Sequence, residues 1–140
     1  MAYKVLYVED EAVDVLLFKR GVELLKLDWE LVILRNGMAA AEHIKDDNKS
    51  PADCAVLDLN LPGYSGLELL AMMRENPAWA KTPVLILTTS DSERDINAAT
   101  TGGANAYLVK PDTPGELNQA LQSIHNHMDT GAPLPGKQLS

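Results

Sequence analysis

The chain has 140 residues, with 20 acidic against 12 basic side chains and a net charge of -8; this is one domain with a sizeable core and no room for a second folded unit of ordinary size. That charge repels a phosphate backbone, and no basic stripe offsets it, so direct nucleic-acid binding is not expected. No apolar run approaches a signal core or a membrane span, and the single Cys54 can form no intrachain disulfide; the expected setting is the reducing cytoplasm, with no membrane contact.

Lys4–Val8 is a β-rich run, predicted as a first strand that delivers Glu9, Asp10 and Glu11 at its end. From Glu11 to Lys26, Val13, Leu17, Gly21 and Leu24 recur at helical spacing, with acids in the first turn where they favour the helix dipole. A second strand, Glu30–Leu34, turns through Arg35-Asn36-Gly37 into an alanine-rich helix from about Met38 to Lys45, and 46–51 reads as polar loop. Cys54–Leu57 then runs, almost wholly apolar, into Asp58, and Pro62-Gly63 forces a turn. Such a run suits a strand buried on both faces of a parallel sheet, with Asp58 at its carboxyl end, where open α/β sheets place their ligands.

Ser65 is positioned to cap a helix through Leu69, Leu70 and Met73 to about Glu75, and Asn76-Pro77 stops it. Pro83–Leu87 is a fourth buried strand that ends on Thr88-Thr89-Ser90, followed by a polar helix over 93–101 closed by Gly102-Gly103. Ala106–Val109 is the fifth strand, ending on Lys110-Pro111; a last helix carries Leu117, Ala120, Leu121, Ile124 and Met128 on one face. The domain is expected to span 1–128, with residues 129–140 a disordered tail and no output domain after it.

Strands alternating with helices at regular intervals predict an α/β fold, a doubly wound (βα)5 flavodoxin-like parallel sheet. In strand order 2-1-3-4-5, strands 1 and 3 meet at the topological switch point, and Glu9, Asp10 and Asp58 share one pocket. Carboxylates that close repel one another unless a cation sits between them, and an all-oxygen site with few protein ligands suits Mg²⁺ better than Mn²⁺ or Ca²⁺. Mg²⁺ completes its shell with phosphate oxygens, so a phosphorylated group is implied. Lys110 supplies a positive charge for it and Thr88 a hydroxyl donor, while Asp58 can be the nucleophile that forms an aspartyl phosphate. Each residue alone has a plainer explanation: Glu9-Asp10-Glu11 can cap a helix, Asp58 can serve a turn, Lys110 can be solvated, and a strand-end threonine is ordinary. Their joint placement at the ends of strands 1, 3, 4 and 5 is what those explanations do not predict.

These residues resemble the receiver domain of two-component response regulators, the CheY-like family, over about Tyr3 to Met128. The matching pieces are Glu9-Asp10, the LDLNLPGYSG stretch holding Asp58, Thr88 after the fourth strand, and Tyr107 with Lys110-Pro111 on the fifth. The resemblance implies that Asp58 accepts a phosphoryl group from a sensor histidine kinase or a histidine phosphotransfer protein. It implies that Asp10, Asp58 and the backbone carbonyl of Asn60 bind Mg²⁺, with Glu9 reaching it through water, and that the Lys110–Pro111 peptide is cis. It further implies a switch: Thr88 turns toward the phosphoryl group, Tyr107 moves inward, and the face of the fourth helix, fifth strand and last helix changes its protein contacts, handing the signal to a downstream protein target. Slow autodephosphorylation is the only further chemistry implied, so the chain is expected to be a signalling protein rather than an enzyme. A homodimer stays open.

The family pattern departs at Glu9, where Asp is commoner, at Thr89, where a small residue is usual, and at Asp112, where an aromatic is frequent. WELVILRNG, LNLPGYSG and LTTSDSERD look like stand-alone receivers paired with bacterial phytochromes, so a phytochrome-type kinase is the expected partner. The alternative is an Mg²⁺-dependent phosphohydrolase with an Asp nucleophile; against it, Asp58 lies on strand 3 and Asn60 cannot act as the general acid two residues on. His43, His125 and His127 read as solvated rather than as a metal site, since i and i+2 face apart on a helix. No glycine-rich loop follows the first strand, which excludes a P-loop or dinucleotide site, and Trp29 and Trp79 read as packing anchors.

Overall fold

The computed structural model describes residues 2–139. In chain order its elements are β1 (Tyr3–Val8), α1 (Ala12–Leu24), β2 (Trp29–Leu34), α2 (Gly37–Lys45), β3 (Cys54–Leu57), α3 (Gly66–Glu75), β4 (Val84–Thr88), α4 (Glu93–Gly102), β5 (Ala106–Val109), α5 (Pro114–Thr130) and β6 (Lys137–Gln138). The sheet order is β2-β1-β3-β4-β5-β6. The first five strands are parallel, and β6 is antiparallel to β5.

Period-two alternation splits the core into two layers. Val5 and Tyr7 of β1 join Cys54, Val56, Leu85 and Leu87 beneath α1 and α5, where Phe18, Leu121 and Ile124 cover them. Leu6 and Val8 join Ala55, Leu57, Val84 and Ile86 beneath the other helices, covered by Ile44, Leu69, Leu70 and Met73. Because β3 is covered on both sides, all its residues are buried, which is why its sequence is a continuous apolar run instead of an alternating one.

The helix ends follow the expected chemistry. The Ser65 hydroxyl accepts from the Glu68 backbone N–H while the Glu68 side chain accepts from the Ser65 N–H, so α3 opens on a capping box. Gly66 is required at that opening, since a Cβ there would sit 2.1 Å from the Asp58 carbonyl oxygen. The helix thus begins directly on the backbone of the strand-end acid.

Two expectations change at the carboxyl end. The segment after Thr130, expected to be disordered, folds back: Leu134 is buried with the α1–α5 layer, and β6 pairs Lys137 with Tyr107 and Gln138 with Ala106. The physical reason is an otherwise open edge on β5, whose backbone groups the short strand satisfies. The histidines, expected to be solvated, are half-buried and engaged. His125 Nδ1 accepts from Trp29 Nε1 at 3.1 Å, His127 Nδ1 lies 2.7 Å from the Ala132 carbonyl oxygen, and the His43 ring meets Trp79 edge-on. Trp79 is buried in the α2–α4 layer just before β4, and Trp29 is the first residue of β2; both act as packing anchors. No helix among the described residues is long and apolar enough to cross a membrane.

Candidate functional site

The parallel strands put Glu9, Asp58 and Thr88 at one edge of the sheet. Register fixes them there: Val8 pairs with Leu57, Leu57 with Ile86, and the Asp58 N–H donates to the Val8 carbonyl at 3.2 Å. Strands β1 and β3 are neighbours at the switch point, as the order 2-1-3-4-5 requires. Glu9, Asp10 and Asp58 each offer an oxygen within 4.8 Å of the others. Glu9 is fully buried and Asp58 is 4% exposed, so these are not solvated helix-capping acids.

Lys110 enters from the end of β5 and lies among the acids. Its Nζ is 3.1 Å from Asp58 Oδ2, 2.7 Å from Glu9 Oε1 and 2.7 Å from Asp14 Oδ2. Burial works against its charge, but Asp14, Glu9 and Asp58 together outweigh it and hold the ammonium well above the usual lysine range. Glu9 moves the opposite way to an ordinary salt-bridged acid. Its burial, reinforced by Asp58, outweighs Lys110 and raises the carboxyl from 4.5 to about 7. Among the described residues Glu9 Oε1 has no donor in hydrogen-bond geometry despite the nearby ammonium. The site therefore confines more negative charge than its single lysine offsets, and the all-oxygen donors Glu9, Asp10 and Asp58 fit a hard divalent cation.

Thr88 is fully buried and its hydroxyl has no hydrogen-bond partner among the described residues. A buried, unsatisfied hydroxyl is costly and marks a place where a ligand oxygen completes the structure. An open cleft nearby is lined by Asp10, Glu11, Asp14, Asp58, Asn60, Lys110 and Thr89, the next residue along the chain from Thr88. The Asn60 N–H donates to Asp58 Oδ1 at 3.3 Å, which orients the carboxylate toward that cleft.

Tyr107 is buried in the α2–α4 layer and donates its hydroxyl to the Ser90 carbonyl at 2.9 Å, so its ring is already inward in this structure. The Lys110–Pro111 bond is trans, against the expected cis form; no cis peptide occurs among the described residues. Trans is the lower-energy isomer for a bond to proline, by about 0.5–1 kcal/mol. With it, the Lys110 N–H donates to the Thr88 carbonyl at 2.8 Å while Nζ reaches the acids. Asp14 is the site residue that sequence reasoning missed. Its available signal was an acid one helical turn after Asp10, in the first turn of α1.

Known proteins bear on this geometry. Residues 5–122 match the response regulator receiver domain. Response regulator Rcp1 of Synechocystis sp. is 34% identical over 135 residues, which cover 94% of this chain and 92% of that protein. The crystal structure of the phosphorylated cyanobacterial phytochrome response regulator RcpA superposes with a TM-score of 0.85 at 31% identity, covering 97% of this chain and all of that one. The Mn²⁺-bound form of Rcp1 superposes at 0.82 with 33% identity, covering 96% and 99% of the two chains. A buried acid cluster at the switch point, an unpartnered threonine and a strand-end lysine on one CheY-like scaffold agree with these matches: the chain belongs to the response regulator receiver domains of two-component systems.

Proposed function

We propose that Asp58 is the phosphoacceptor of a cytoplasmic His-Asp relay, charged by a sensor histidine kinase of the phytochrome type or by a histidine phosphotransfer protein. One observation carries this. Asp58 stands nearly buried in a cleft, with the Lys110 ammonium on one oxygen and the Asn60 N–H on the other, while the buried Thr88 hydroxyl has no partner among the described residues. The solved structures support the kinase assignment, since phytochrome response regulators are among those similar to this chain.

In the proposed reaction a carboxylate oxygen of Asp58 attacks phosphorus, the P–N bond to the donor imidazole breaks, and its electron pair stays with the imidazole nitrogen. Lys110 moves its bond from Asp58 to a phosphoryl oxygen, and the Thr88 hydroxyl donates to another. Glu9, Asp10 and Asp58, with the Asn60 carbonyl, would hold Mg²⁺, which supplies positive charge where the phosphoryl group meets the acids. The new anion biases two packings of α4, β5 and α5, so that this face exchanges one protein partner for another. Tyr107 belongs to both packings as a gate: its bond to Ser90 must be kept or remade as the β4–α4 loop shifts.

The test is intact mass after incubation with phosphoramidate, with and without Mg²⁺. One phosphoryl adduct per chain, dependent on metal and absent from Asp58→Asn, is expected; Lys110→Ala should still be labelled but fail to alter the α4–β5–α5 face. Donor consumed over many cycles without a retained adduct would replace this reading by a phosphohydrolase, and stoichiometric labelling of Asp58→Asn would remove Asp58 from its role.

A further inference from the structure

Lys110 has two anionic partners besides Asp58, and one of them, Asp14, stands outside the cluster of acids able to share a cation. It lies in the first turn of α1, four residues after Asp10, and its Oδ2 is 2.7 Å from Lys110 Nζ in good hydrogen-bond geometry. The Glu9 contact is as short but lacks that geometry, and the Asp58 contact is longer at 3.1 Å. Among its three acids, the best-formed bond of the lysine is therefore to Asp14.

The three acids differ in what else they can do. Glu9 and Asp58 belong to the cluster able to share a cation, whereas Asp14 does not. A cation that draws oxygens of Glu9 and Asp58 to itself takes those acceptors from Lys110 and leaves the Asp14 bond in place. An ammonium has three N–H donors, so a lysine tied to Asp14 by one keeps two for incoming phosphoryl oxygens. On its far side the pair borders a small cavity walled by Tyr7, Leu17, Leu87, Asp112, Thr113 and Leu117, where Asp112 is a further acid beside the tyrosine and threonine hydroxyls. A flexible four-carbon stem released from Asp14 would be free to collapse onto Asp58, to turn toward Asp112, or to swing out through the cleft to water.

We infer that Asp14 is a positioning residue of the phosphorylation site, acting through Lys110: it holds the ammonium beside Asp58 without competing for the metal acids. The inference rests on the phosphoacceptor reading above. The pair itself adds little to stability, because Asp14 is 34% exposed on its side chain and such pairs are screened by solvent. Its effect is on geometry, where a displacement of about 1 Å at a reacting centre lowers rates by up to about a hundredfold.

The experiment measures the initial rate of adduct formation from phosphoramidate with Mg²⁺ for wild type, Asp14→Asn, Asp14→Glu, Lys110→Ala and the Asp14→Asn/Lys110→Ala double variant, and the ¹H–¹⁵N signal of the Lys110 ammonium without metal. Asp14→Asn should slow the reaction about tenfold, Asp14→Glu should recover part of that, and the double variant should react at the rate of Lys110→Ala. The ammonium signal, sharp in the wild type, should broaden in Asp14→Asn as the group exchanges with water. A wild-type rate in Asp14→Asn, a further loss in the double variant, or an unchanged ammonium signal each overturns the inference. If wild type itself takes no adduct, the phosphoacceptor reading fails and the inference falls with it; a labelled wild type beside an equally fast Asp14→Asn removes the inference alone.

Discussion

Helices α3 and α4 flank the same sheet face and are equal in length, yet they are held in different ways. α3 opens on a reciprocal capping box and buries Gly66, Leu69, Leu70 and Met73. α4 is capped by Ser92 and closed by Gly103 in the left-handed region, but Ala99 is its one buried residue. Free energy from burial scales with the apolar area removed from water, so displacing α3 costs several large side chains and displacing α4 costs little more than a methyl group and part of Ile96. The strand carrying Asp58 is thus backed by a fixed helix, and the strands carrying Thr88 and Tyr107 by a loosely held one. A small input at the acid can then shift the second side while leaving the first in place.

The strongest way to break this comparison is truncation of matched residues. Leu70→Ala should lower unfolding free energy by about 2–5 kcal/mol, whereas Ile96→Ala on α4 should cost less than half as much; equal losses in urea titration would erase the distinction. A second effect belongs to the fixed side alone. With Glu9 at about 7 in the folded chain against 4.5 for a free carboxyl, the native state keeps a proton that the unfolded chain has released. Metal-free stability should therefore be full below about 4.5, fall as pH rises toward 7 and flatten above it. Glu9→Gln should abolish the slope, and a wild-type thermal midpoint that rises between these values would refute the assignment. Amide exchange should sharpen the comparison further, α4 exchanging about tenfold faster than α3 because its opening exposes less. The smallest effect is at Tyr107→Phe, which removes the bond to Ser90 at a cost of about 0.5–1.5 kcal/mol. Its phosphorylation rate should stay near that of wild type, since the hydroxyl is bonded to Ser90 in the β4–α4 loop rather than to Asp58.

Much of the fold could be read from sequence because its strongest signals are local. Cys54–Leu57 must be apolar throughout when both faces are covered, and Ser65 and Gly103 mark helix ends by backbone chemistry. Glu9, Asp10, Asp58 and Lys110 follow from strand ends in a parallel sheet, with no knowledge of packing. Asp14 does not. Its role depends on α1 and the β5–α5 loop meeting across the sheet edge, a contact between residues 96 positions apart. β6 was hidden for a different reason: Pro135-Gly136 reads as loop, and the apolar anchors around it are only Leu134 and Leu139. The inward ring of Tyr107 and the trans bond after Lys110 are choices between states of similar energy, which a residue's identity does not decide.

The placement of the two indoles has a practical consequence. Trp29 starts β2 and is hydrogen-bonded to His125 on α5, and Trp79 is enclosed ahead of β4 against His43. Both therefore sit toward the amino edge of the sheet, opposite the acids. Tryptophan emission is expected to follow the separation of the helical layers and to change little with charge at Asp58, which would make it an optical gauge of unfolding. A titration of the acidic cleft needs a reporter introduced at its rim, for which the exposed Thr89 is the natural position.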